Sequence, residues 1–150
     1  MHYVIIGAGP AAVAAAEKLR VLDADGQVTM IGAQAQQPYS RMAIPYFLTG
    51  KVEESGTYLR RSADHFQKLR IEVIHGEATA IDTAGHKVIV GDGSTIDYDK
   101  LLIATGAEPI IPQVLGMDDS RVQQCWHLED AKRIIELAKP GARAVQVGAG

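Results

Sequence analysis

The sequence is poor in the residues that carry sulfur chemistry. Its 150 residues include one cysteine, Cys125, so an internal disulfide and any CxxC or CxxxxC redox pair are excluded. A single cysteine of this kind is most simply a packing residue or a bystander. Aromatics make up only 5% of the chain, and no apolar stretch approaches the ~18 residues of a membrane span. Met1 runs straight into a short apolar segment rather than a signal peptide, so a cytoplasmic protein with no membrane contact is expected. An excess of positive charge is also missing. The 15 Lys and Arg are scattered and outnumbered by 18 Asp and Glu, which argues against nucleic acid as a partner. The five histidines, His2, His65, His75, His86 and His127, fall one to an element without ligand spacing, so no metal site is expected. Asp118-Asp119 and Glu53-Glu54 read as solvated loop charges. What remains, 47% hydrophobic and 22% charged, is the composition of an ordinary globular domain.

What is present is organised around the first dozen residues. Tyr3-Val4-Ile5-Ile6 is a short apolar strand, Gly7-Ala8-Gly9-Pro10-Ala11-Ala12 follows, and an alanine-rich helical pattern continues to about Leu22. In this order each residue has a physical task. Gly7 permits the sharp turn, Gly9 lets a phosphate approach the backbone, and Ala12 keeps the helix close to the strand. Pro10 sits at the first helical position, where its missing N–H costs nothing. The free N–H groups and positive end of the helix, at Pro10 to Ala12, then face an incoming pyrophosphate.

Asp23 to Gly26 reads as a turn and Gln27 to Gly32 as a second strand, completing a βαβ unit with parallel strands. A dinucleotide fold usually places an acid at the end of this strand to hold the ribose hydroxyls. Here the residue is Gln34, which accepts a hydrogen bond but carries no charge. Residues 35–61 form a long connection rich in aromatics and proline, either a small helical insertion packed on the domain or a ligand-lining excursion. Arg41 is its candidate pyrophosphate contact. Ser62 to Leu69 reads as a short helix capped by Ser62, and Ile71 to Ile74 as a third parallel strand. Glu77 to Asp82, His86 to Val90 and Thr95 to Tyr98 then look like a β-meander, with a hairpin at Gly91-Asp92-Gly93.

Leu101 to Ile103 predicts a central parallel strand buried on both faces, ending at Ala104-Thr105-Gly106 in the ligand crevice. Pro109 and Pro112 break regular structure as at a domain crossing, and Leu128 to Leu137 predicts an amphipathic helix ending before Pro140-Gly141. Its apolar side would carry Leu128, Ala131, Ile134, Ile135 and Ala138. His127 falls where this helix begins. Ala144 to Val147 reads as another apolar strand, running into Gly148-Ala149-Gly150, so the chain is expected to be the N-terminal part of a longer protein.

The two glycine motifs, the meander, and Tyr98-Asp99-Lys100-Leu101-Leu102-Ile103-Ala104-Thr105-Gly106 at this spacing resemble the pyridine nucleotide-disulfide oxidoreductase family over the whole chain. The resemblance implies an α/β fold: a Rossmann-like parallel sheet with an inserted β-meander, binding FAD, over residues 1–110. Residues 111–150 would be the crossing segment, helix and first strand of a second, Rossmann-like NAD(P)-binding domain. It implies cofactor contacts from Gly7, Gly9, Pro10, Ala11, Ala12, Gln34, Arg41, Ala80, Thr105 and Gly106, and from Gly148 and Gly150 in the second domain. Pro38-Tyr39-Ser40-Arg41 resembles the rubredoxin, ferredoxin and nitrite reductase subgroup, which lacks a redox disulfide. That subgroup implies hydride transfer from NAD(P)H to FAD and electrons onward to an acceptor protein or small molecule, with a homodimer compatible.

Met42-Ala43-Ile44-Pro45-Tyr46 also resembles the NADH oxidase and coenzyme A-disulfide reductase subgroup, whose active cysteine would fall at Met42. Methionine forms neither thiolate nor sulfenic acid, so that chemistry is not expected. A flavin-proximal lysine of the reductase subgroup would fall near Tyr46 and is absent. No side-chain acid or base is assigned, because the resemblance implies chemistry carried by the flavin. The substitutions at Gln34, Met42 and Tyr46 leave open a non-catalytic dinucleotide-binding module. An NAD-only dehydrogenase fits the first glycine motif but not the meander or the second motif.

Overall fold

The computed structural model describes residues 1–148 and shows an α/β fold built on two sheets. The elements are β1 (His2–Ile6), α1 (Pro10–Leu22), β2 (Gln27–Gly32), α2 (Ile44–Leu48), α3 (His65–Lys68), β3 (Ile71–His75), β4 (Ala78–Asp82), β5 (Lys87–Val90), β6 (Thr95–Asp97), β7 (Lys100–Ile103) and α4 (Leu128–Leu137). The first sheet is parallel, in the order β3-β2-β1-β7, with Ile6 opposite both Ile31 and Ile103. The second is the antiparallel meander β4-β5-β6.

The continuous apolar runs of β1 and β2 are explained by cover on both faces. Ile5, Val28, Met30 and Ile71 pack with Ala12, Val13 and Ala16 of α1, with Phe66 and Leu69 alongside. On the opposite face Val4, Ile6 and Ile31 meet Val88 of β5, flanked by Ile81 and Ile96. Small residues on the inner side of α1 bring its axis close to the sheet, so the glycine turn at its start lies directly over the strand ends. A third cluster joins distant parts of the chain: Tyr39 and Ile44 of the 35–61 excursion pack on Leu128 and Ala131 of α4. The excursion therefore contains short helices, a 3-10 turn at Arg41–Ala43, α2, and a second 3-10 turn at Glu54–Thr57, tied at its base by an isolated bridge between Tyr39 and Tyr58.

Four expectations are corrected. Strand β7 is the edge of the parallel sheet rather than its centre: it pairs with β1 alone among the described residues, and Leu102 and Ile103 are 41% and 61% exposed. Neither residue belongs to the two apolar clusters that cover the sheet among the described residues. Residues 144–147 form no strand; Val145 and Val147 are exposed, and no described strand lies beside them to supply ladder hydrogen bonds. Ser62 does not cap α3, because its hydroxyl is spent on the Asp64 carboxylate and the helix starts only after Asp64. In α4, Leu128 and Ala131 are buried while Ile135 is exposed, since the excursion covers only the first turns of the helix. No helix among the described residues is long and apolar enough to cross a membrane.

Candidate functional site

The C-terminal ends of β1, β2 and β7 open into a cleft of about 790 Å³, bounded by the glycine turn, the excursion and the start of α4. In parallel α/β sheets this edge is where ligands bind, and the volume is that of a small-molecule site. The turn is built by two glycines under different constraints. Gly7 has φ +125°, and a Cβ there would lie 2.2 Å from the Ala104 carbonyl oxygen, so the strand ends of β1 and β7 meet only if this residue has no side chain. Gly9 has ordinary backbone geometry, and a Cβ there would meet nothing within 4 Å. Its missing side chain leaves open space on the cleft side, at the first turn of a 13-residue helix with Pro10 at its start and no acid in that turn. Bare backbone beneath a helix N-terminus is a cradle for an anion such as a pyrophosphate. The residues present therefore fit a dinucleotide.

Ala8, Pro10 and Ala11 line the same cleft, while Ala12 lies fully buried beneath it against the sheet. Opposite, the Ala104 N–H continues the β7 pairing by donating to the Ile6 carbonyl (2.8 Å), and Thr105 and Gly106 then form the cleft wall. Gly106 has φ +78°, and its open side faces the Arg41 guanidinium. Arg41 lies 4.8 Å over the Trp126 ring and pairs loosely with Glu108, at 3.6 Å. A guanidinium over an indole face is held there by cation–π attraction, and beside its loose Glu108 contact it keeps N–H donors for an oxyanion. Gln34 and Met42 also line the cleft.

One residue expected at the flavin site falls elsewhere. Ala80 is exposed on β4 and does not line the cleft; Glu77 and Ala78, at the start of that strand, do so instead. Gly148, expected in the second domain, is exposed and does not line this cleft, and Gly150 lies outside the described residues. Cys125 is exposed and does not line the cleft. Among the described residues no group of three His, Cys, Asp or Glu is placed to hold a metal ion.

Sequence reasoning missed one side of the site. His127 receives the amide of Gln34 on Nδ1 and lies 2.9 Å from the Glu108 carboxylate through Nε2. Asp130 accepts the backbone N–H groups of Trp126 (3.0 Å) and His127 (2.8 Å), and the Tyr39 hydroxyl accepts that of Leu128 (3.1 Å). These bonds fix the start of α4 at the cleft mouth. The signal available was an acid three residues after a polar residue at the head of an apolar helix. Glu54 is likewise not a free loop charge: it accepts from the Tyr58 hydroxyl (3.1 Å) and pairs with Lys132 of α4 (2.9 Å). Burial, then Glu54, pushes the Tyr58 hydroxyl above its ordinary pKa, and Glu129 with Glu54 does the same for the Lys132 ammonium.

A parallel sheet with a glycine turn and helix N-terminus at its open edge, and a meander over one face, is the architecture of Rossmann-like α/β proteins whose cleft fits a dinucleotide. Comparison narrows the class. The chain belongs to the pyridine nucleotide-disulphide oxidoreductase family, whose pattern matches residues 1–150. It is 30% identical to the NADH-dependent phenylglyoxylate dehydrogenase subunit epsilon of Aromatoleum evansii, over 99% of this chain and 35% of that one. It is 31% identical to an NADH oxidase of Methanocaldococcus jannaschii, over 100% of this chain and 35% of that one. Among solved structures, the ferredoxin reductase for the CYP199A2 system from Rhodopseudomonas palustris superposes with a TM-score of 0.85 at 26% identity, covering 90% of this chain and 33% of that one. The chain thus spans about a third of the length of these proteins.

Proposed function

We propose that this chain is the FAD-binding part of a flavoprotein reductase that takes a hydride from NADH or NADPH and passes electrons to a protein or small-molecule acceptor in the cytoplasm. The observation that carries the reading is the pair of glycines at the cleft. Gly7 is required by the backbone crossing, whereas Gly9 has room for a side chain and lacks one where a pyrophosphate would lie. Family membership and the likeness to NADH-dependent and ferredoxin-reducing proteins support the choice of flavin over nicotinamide alone.

Bound FAD supplies the hydride acceptance and electron release. This chain's residues do the holding. The Ala11 and Ala12 N–H groups and the dipole of α1 face the diphosphate, and Arg41 offers a cation to it from beside Trp126. Thr105 and Gly106 line the wall where β7 ends, and Gln34 sits where the ribose hydroxyls need an acceptor. Met42 lines the cleft where a thiol-dependent member would need a cysteine, so electrons leave by the flavin and not through a side-chain thiol. We place the end of the FAD-binding segment near residue 110, with Gly148 and Gly150 in a following NAD(P)-binding unit.

The test is the visible absorption spectrum of the full-length protein before and after anaerobic NADH or NADPH. The expected result is a flavin spectrum that bleaches with one of the two. A bound flavin that neither nicotinamide reduces would leave a non-catalytic flavin module, and a colourless protein would overturn the reading.

A further inference from the structure

The end of β2 has no acid, yet its glutamine is not a free side chain. We propose that His127 is a positioning residue for the ribose of an adenine nucleotide, turning the Gln34 amide so that its oxygen faces the 2′-hydroxyl, with Glu108 setting the histidine tautomer. The inference rests on the flavin reading above, since it concerns the adenosine half of the same ligand.

A carboxylate only accepts, so the 2.9 Å contact between His127 Nε2 and Glu108 places the imidazole proton on Nε2. The group facing Nδ1 is the NH₂ of Gln34, and an amide nitrogen only donates, so Nδ1 accepts and the ring proton on Nε2 is the one shared with Glu108. An amide committed through its nitrogen presents its oxygen elsewhere, and Gln34 Oε1 has no hydrogen-bond partner among the described residues. The end of β2 therefore carries a fixed acceptor, which is the property the usual acid provides to ribose hydroxyls. A glutamine without this contact could turn either face to the ligand.

The support behind His127 is rigid. Its side chain is 26% exposed, its backbone N–H is held by Asp130, and the next residue, Leu128, is fully buried. Glu108 is carried on the segment that Trp126 pins by donating its indole N–H to the Ala107 carbonyl (2.9 Å). Gln34, His127 and Glu108 come from three separate stretches and converge on the same cleft.

The test compares ADP with 2′-deoxy-ADP, by calorimetric titration of the full-length protein freed of flavin. We expect the parent to bind ADP about tenfold more tightly, the value of one well-made hydrogen bond. His127→Ala should reduce the preference to less than about twofold while changing the 2′-deoxy-ADP affinity by less than about twofold. Adding Gln34→Glu to His127→Ala should restore the preference, because a carboxylate accepts whichever way it turns. Should His127→Ala impair folding, Glu108→Ala on the exposed segment serves in its place and should reduce the preference to about threefold. A His127→Ala protein that loses both nucleotides equally, or keeps the parent's preference, overturns the proposal, as does an unchanged preference in Glu108→Ala. If the parent retains FAD but binds the two nucleotides equally, this inference fails and the flavin reading stands; if it retains no FAD, the flavin reading fails first.

Discussion

At the N-terminal edge of the parallel sheet one side chain closes a gap between three segments. Arg20, in the last turn of α1, donates to the carbonyl oxygens of Asp23, Ala24 and Gly26, and to those of Leu69 and Arg70 after α3, at 2.7–3.1 Å. Asp23 completes the closure, accepting from the Gly26 N–H (2.8 Å) and the Tyr3 hydroxyl (3.0 Å), and these bonds hold its carboxyl below the ordinary carboxylate range. At the C-terminal edge the reverse holds: glycine backbone and helix N–H groups are left facing a cleft. Loop polar groups are satisfied internally where the sheet is only scaffold and kept available where a ligand would satisfy them. The difference teaches where mutation should damage folding and where it should damage binding.

The largest effect is expected at the one cleft residue that is also structural. Gly7→Ala drives a Cβ into the Ala104 carbonyl from a left-handed backbone. It should cost about 3 kcal/mol or more, read as a fall in the urea midpoint of the full-length protein, with flavin lost as a consequence. A variant as stable as the parent would mean that β1 and β7 do not approach as described. Arg20→Ala comes next. It strips the donor from five carbonyls and should cost about 2–3 kcal/mol while leaving the affinity of the folded protein for FAD unchanged. Weaker FAD binding in that variant would break the division between the two edges.

Between the edges, Glu17 of α1 holds the end of the excursion and α3 in one contact. It accepts from Arg60 Nε (2.6 Å) and Nη2 (2.5 Å) and lies 2.8 Å from His65 Nε2. The Arg60 guanidinium, then His65, holds the Glu17 carboxyl below its ordinary pKa of 4.5, against an opposing push from burial. A carboxyl with a depressed folded-state pKa contributes its full stability above the unfolded value and loses it as pH falls through the folded one. Glu17→Gln should therefore cost about 1–2 kcal/mol at pH 7. The gap between variant and parent should close as pH drops below 4.5, in urea midpoints taken across pH. A gap independent of pH would show that packing, and not the ion pair, joins these elements.

Much of this architecture is legible from local pattern. β1, α1, β2, β3 and the meander follow from apolar runs punctuated by glycine, because their cover comes from residues close in sequence. What was not legible depends on distance along the chain. Leu102 and Ile103 read as doubly buried because they are apolar, but burial is a property of neighbours, and among the described residues they stay 41% and 61% exposed on an edge strand. The excursion's partner, α4, lies about 90 residues away, so the packing of Tyr39 on Leu128 has no local signature. Gln34 read alone is a missing charge; beside His127 and Glu108 it becomes an oriented amide, and only three-dimensional proximity shows the difference. The Pro38 to Tyr46 stretch carried a resemblance without revealing that Arg41 is stacked on Trp126.

The substitution expected to change folding least separates the two glycines of the turn. Gly9→Ala is the same chemical change as Gly7→Ala, two residues along the same turn. At Gly9, however, the backbone is in an extended conformation open to any residue, and the added methyl meets no protein atom within 4 Å. Replacing glycine where its conformation is compatible restricts the unfolded chain, a gain of about 0.4–1 kcal/mol, while an alanine N-cap loses a few tenths or more. The two nearly cancel, so the urea midpoint should stay within experimental scatter of the parent's. The methyl does occupy the space in which a pyrophosphate would approach the backbone, so FAD affinity should fall about tenfold or more, a loss of about 1.4 kcal/mol or greater. Fluorescence titration of the flavin-free full-length protein reads this directly. Unchanged affinity would mean that the diphosphate does not lie against this turn, and an equal loss of stability would mean that the open space at Gly9 is filled by protein.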